Sequence, residues 1–189
     1  MLTGMQQHPV TDPDRRRFLS RLLREVARTE QQAVDHAARE VRRLGDAAPP
    51  ASALHAVAVH ASAMQPRLAA ILAGHGVAAA RGGIGAALAS LRDLVVDGVV
   101  DGVIDAERAY RIAVLDLRHG VDVVKLLREV ARSQPLFGVI RWSDDWLGAR
   151  RTLVSHAERS LAWFSTPAAA SILVEPAGSG GRPSSRDRH

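Results

Sequence analysis

Cysteine is absent from the chain, which excludes disulfides, thiolate metal sites and cysteine nucleophiles and leaves no thiol to report a redox compartment. Aromatic side chains make up only 4%, so small aliphatics must fill the core, which suits closely packed helices better than a sheet sandwich. Lysine is almost missing: Lys125 is the only one among 25 basic residues. No uninterrupted apolar run reaches the ~18 residues of a membrane span. Residues 1–13 carry no apolar stretch of the secretory kind. A cytoplasmic protein without membrane contact is therefore expected. No stretch alternates at the period of a strand, which leaves an all-α chain.

The 189 residues suit one domain. An apolar content of 47% is that of a globular protein. The net charge is +5, but arginine at lysine's expense often follows genome composition, and Arg182, Arg186 and Arg188 fall in a tail-like end. The charge alone therefore does not call for a nucleic-acid partner.

Helical periodicity divides the chain. A first helix is expected over 13–44, with Asp12 as N-cap, Pro13 in the first position and an apolar stripe from Leu19 to Leu44. A second is expected over 52–73, kinked at Pro66, then a linker over 74–85. A third is expected over 86–131, with Gly120 as a point of bending. A fourth starts at Ser143 as N-cap, with Asp144 and Asp145 in its first turn, and stops at Thr166. Residues 168–174 form an apolar piece expected to pack back. Residues 1–12 are expected to be flexible, 13–174 to form a helical bundle, and 175–189 to be a disordered tail.

Two charged stripes stand out. Asp93, Asp97, Asp101 and Asp105 recur every four residues along the third helix and repel one another by about 0.2–0.5 kcal/mol per pair. Arg17, Arg21, Arg24 and Arg28 form a basic stripe on the first helix that could complement them. Gly98 and Gly102, beside the acidic stripe, suit close approach of another helix. Glu30 lies on the apolar stripe of the first helix, and an inward glutamate must be paired, protonated or bound to metal. His60, Glu107, His119 and His156 complete a candidate ligand set, although Glu107 can also pair with Arg111 four residues on. Trp142 and Trp146, one turn apart, are expected to close one end of the helices.

Four helices, a second-to-third connection long enough to span them, inward Glu30, the stretch Asp105-Ala-Glu-Arg-Ala-Tyr110 and the stretch Leu117-Arg-His-Gly120 together resemble the ferritin-like superfamily. The similarity covers about residues 14–165 and is nearest to bacterial bundles distantly related to rubrerythrins. It implies a ferritin-like four-helix bundle with a crossover-length connection between the second and third helices. It also implies an ancestry that binds iron or manganese at two glutamates and two Glu-x-x-His motifs. No Glu-x-x-His occurs here. Asp116 and His119 have that spacing but share a helix with Glu107.

No phosphate-binding loop, nucleophile elbow or His-Glu-x-x-His is present either. The expectation is a non-catalytic ferritin-like bundle, a structural or protein-interaction module with a homodimer or another protein as partner. The alternatives are a degenerate metal-binding bundle using Glu30, His60, Glu107, His119 and His156, and an arginine-rich nucleic-acid binder.

Overall fold

The computed structural model describes residues 12–78 and 102–174, and every regular element among them is helical. Helix α1 spans Asp12–Leu44, α2 Pro49–Gly74, α3 Gly102–Ser133 and α4 Phe137–Ser160. A 3-10 turn over Leu161–Ser165 leads into a short α5, Pro167–Val174. None of these helices is long and apolar enough to cross a membrane.

The helix ends follow from local chemistry. Asp12 and Asp14 in the first turn of α1, and Arg42 and Arg43 in its last, oppose the helix dipole. Gly45 then takes a left-handed φ of 79°, and its N–H closes on the Val41 carbonyl at 3.0 Å, a stop that glycine adopts without penalty. Pro49 and Pro50 do not merely separate α1 from α2: they occupy the first positions of α2, where a missing N–H costs nothing. That helix runs on through Pro66, whose ring sits on the exposed face. Helix α4 begins at Phe137, six residues before the expected cap. Val139, Trp142 and Ser143 are buried in register with Trp146, and this apolar surface outweighs the capping preference of Ser143.

Helix α1 packs on α2 and α3, and α4 packs on α2 and α3, so α1 and α4 face each other across a diagonal. Helix α3 runs antiparallel to α1: Arg43 meets Asp105, His36 meets Asp116 and Glu25 meets His119. Helix α2 also runs antiparallel to α1 after the short turn at 45–48, so α2 and α3 are parallel, and the end of α2 and the start of α3 lie at opposite ends of the array. Of the expected linker, Gly74 ends α2 and residues 79–85 lie outside the described residues, as does the start of the expected third helix. So do Gly98 and the acidic positions Asp93, Asp97 and Asp101. The apolar piece after Thr166 packs back as α5 against α3.

One core runs through the array, built from Leu22, Leu23 and Val26 of α1, Leu54 and Val57 of α2, Val124 and Leu127 of α3, and Trp142 and Trp146 of α4. Each such aliphatic contributes roughly 1.5–3 kcal/mol by leaving water. Helix α3 runs unbroken through Gly120. The glycine is a contact point, where an added Cβ would meet Thr29 of α1 at 3.5 Å, an ordinary van der Waals distance. Gly120→Ala should therefore raise the unfolding free energy by about 0.5–1 kcal/mol. Urea denaturation checks this, and a loss of stability would mean that the α1–α3 contact needs the glycine.

Candidate functional site

The inner register of α1 changes character along its length. Leu19, Leu22, Leu23 and Val26 are followed on the same buried stripe by Thr29, Glu30, His36 and Glu40. The N-terminal half of the helix thus brings hydrocarbon to the core, and the C-terminal half brings polar groups that need partners.

Glu30 finds its partner across the diagonal. Arg150 of α4 places Nη2 2.7 Å from both Oε1 and Oε2 of Glu30, and the two side chains are each only 2% exposed. The Nε of Arg150 donates to Nδ1 of His60, on α2, at 3.2 Å. Because a guanidinium only donates, His60 must keep Nδ1 as its acceptor and carry its proton on Nε2. The cation also lies 4.6 Å from the ring centroid of Trp146, within cation–π range, and Trp146 contacts both His60 and Trp142 edgewise or tilted. A single guanidinium therefore ties α1, α2 and α4 together at mid-height.

Burial raises the Glu30 carboxyl above its ordinary range, and the charge and hydrogen bonds of Arg150 oppose that shift, as does the indole N–H of Trp146. That N–H influences the carboxylate without reaching hydrogen-bond geometry with any acceptor among the described residues. Burial likewise lowers Arg150, against the pull of Glu30. His60 is pushed down to about 4, first by burial and then by the neighbouring Arg150 charge, so it is a neutral acceptor near pH 7.

A second polar layer lies nearer the C-terminal end of α1. His36 accepts from Arg39 at Nδ1 (2.7 Å) and donates from Nε2 to Asp116 (2.9 Å). Buried Glu40 has Arg43 at 3.7 Å, while its Oε2 has no hydrogen-bond partner among the described residues. Burial raises its carboxyl, opposed by Arg43, His36 and Arg39. Tyr110, wholly buried, donates to the Ala157 carbonyl at 2.9 Å. Burial raises its hydroxyl, with Ser160 opposing and Glu40 reinforcing the shift.

Of the candidate ligands, only Glu30 and His60 come together, and Arg150 stands between them. Glu107 pairs with Arg111 at 3.0 Å, His119 pairs with Glu25 at 2.9 Å on the surface, and His156 is exposed. Among the described residues no group of three or more acidic or histidine side chains converges as a metal site would require. Asp105 sits at the start of α3 beside Arg43, at the far end of α1 from Arg17 to Arg28, so it does not neutralise the basic stripe. Trp142 and Trp146, each 1% exposed, are interior packing rather than an end closure.

Among the described residues, a surface cleft of about 480 Å³ lies between Asp14, Phe18, Val130 and Ser133, and one of about 200 Å³ between Ile71, His75, Leu136 and Phe137. Neither reaches the polar layers. Arg150, Trp146, His36 and Glu40 carry the interior chemistry; Trp146 was expected only as an end closure, and Arg150 did not stand out in the sequence. The signal for Arg150 was its place, four residues after Trp146 and four before Val154, on the buried stripe of α4. No family model, curated protein or solved structure matches the chain.

The depressed His60 has a consequence for stability against pH. Its folded pKa of about 4 lies below the ordinary 6.5, so its contribution is full above pH 6.5 and is lost as acidification proceeds toward pH 4. Glu30 and Glu40, both raised, act in the opposite sense. Comparison with His60→Gln, which retains an acceptor for Arg150, cancels those carboxylates. The wild-type midpoint in urea should fall more steeply than that of His60→Gln between pH 6.5 and 4, and parallel pH profiles would refute this role for His60.

Proposed function

We propose that the chain is a ferritin-like four-helix bundle, with its crossover between the second and third helices, that serves as a non-catalytic structural or protein-interaction module. The observation that carries the reading is the Arg150 guanidinium between Glu30 and His60. A carboxylate and an imidazole from separate helices, facing one another at mid-height, are the kind of groups that hold a cation in a metal-binding bundle. Here a side chain of the protein supplies that cation. Both Glu30 oxygens and His60 Nδ1 are already engaged, and a divalent ion would have to expel a side chain that is 2% exposed.

The parallel course of α2 and α3 supports the crossover topology, since an up-and-down arrangement would make consecutive helices antiparallel. An outward role in binding has support on α2. Its 26 residues contain one formally charged side chain, Arg67. Its exposed face carries His55, Val59, Ala63, Ala69 and Ala73, and Val59 is 55% exposed. Phe137, 70% exposed, adds an aromatic side chain at the end of the array where α4 begins.

Elemental analysis of the purified protein, before and after incubation with iron, manganese or zinc and gel filtration, tests this reading. The expected result is no stoichiometric retention of any of the three. About one metal per chain, lost on Glu30→Ala, would overturn it in favour of the degenerate metal-binding bundle.

A further inference from the structure

The basic stripe of α1 is exposed along its whole length. Arg17, Arg21, Arg24 and Arg28 are all solvent-facing, and at 100° per residue they fall within a sector of about 60° over about 16 Å of helix. None of the four pairs with a carboxylate among the described residues. Of the carboxylates along the helix, Glu25 meets His119, Asp35 meets Gln31 and Asp12 meets Arg16, while Asp14 lies at the N-terminal edge of the stripe. Arg21 is braced 5.1 Å above the half-buried Phe18 ring.

Four guanidiniums in line, without an ion-pair partner among the described residues, repel one another and favour a ligand that brings a line of negative charge. Protein partners normally also need an apolar anchor at the centre of the contact. The large exposed apolar side chains, Val59, Leu115, Leu126 and Phe137, lie on α2, α3 and α4 and not on this face. A phosphodiester backbone needs no such anchor. It offers one charge per ~1.7 Å of duplex and takes up arginine forks directly.

We infer that the Arg17–Arg28 face of α1 binds the phosphate backbone of double-stranded nucleic acid without reading its sequence. No exposed aromatic on this face offers a base-stacking platform, and a continuous helix surface carrying only guanidiniums contacts phosphates rather than base edges. The inference goes beyond the module reading above and stands independently of it.

The test is fluorescence anisotropy of the full chain with two 20-base-pair DNA duplexes of unrelated sequence, titrated from 50 to 200 mM salt. With four phosphate contacts, log K should fall against log salt with a slope near −3.6, a weakening of about 100-fold over that range, equally for both duplexes. The variant carrying Arg17→Gln, Arg21→Gln, Arg24→Gln and Arg28→Gln, with an unchanged circular dichroism spectrum, should lose at least about tenfold in affinity at 50 mM salt. The variant with Arg182→Gln, Arg186→Gln and Arg188→Gln should retain most of it. Undiminished binding by the α1 variant would overturn the inference, as would equal competition by poly-glutamate, which assigns the stripe to an acidic protein. A folded, metal-free protein that ignores both duplexes would also remove it, while leaving the scaffold reading intact.

Discussion

A carboxylate and a guanidinium removed from water each lose several kcal/mol of hydration, and their attraction repays that only when the geometry is held. Glu30 and Arg150 meet this condition because they reach each other across the diagonal from α1 and α4, with α2 supplying His60 and α4 itself supplying the Trp146 ring. The pair constrains more than two residues. If α1 rotated by one position, Glu30 would face a neighbour's hydrocarbon and Arg150 would be a lone buried cation. The register of three helices is thereby fixed by one group, and the hydrophobic core around it packs in the arrangement that the pair permits.

The His36–Asp116 contact repeats this logic between α1 and α3, while buried Glu40 is met within α1 by Arg43. Here the buried group meets a partner that reaches solvent: Asp116 has 34% of its side chain exposed and Arg43 40%. Helix α1 is thus the axis of the protein. Its N-terminal half holds the core through leucine and valine, its C-terminal half through charged and polar contacts. Its outer face is left to arginines that the interior does not use.

The helical character of the chain was legible from residue periodicity, as were the limits of α1, because Asp12, Pro13 and Gly45 are strong local signals that tertiary packing did not override. Ser143 misled for the opposite reason: it has a capping side chain, but Val139 and Trp142 gain more by extending the helix than the cap would give. Gly120 was read through its backbone freedom, whereas α3 runs on through it and a Cβ there would make only an ordinary contact with Thr29. Glu30 was identified as an inward acid that required a partner. Its partner was less legible: the four-residue spacing of Trp146, Arg150 and Val154 puts Arg150 on the buried stripe of α4, but only the pairing of helices, set by contacts far apart in sequence, shows that this stripe brings it to Glu30.

The central claim is that the Glu30–Arg150 pair, and not a bound metal, organises the interior. Unfolding free energies of Glu30→Leu, Arg150→Met and the double variant test it most directly. Each single change should cost about 3–5 kcal/mol by leaving one buried charge unpaired, and the double change should cost clearly less than their sum, since hydrocarbon then replaces both ions. Additive effects, or single variants as stable as the parent, would contradict the account.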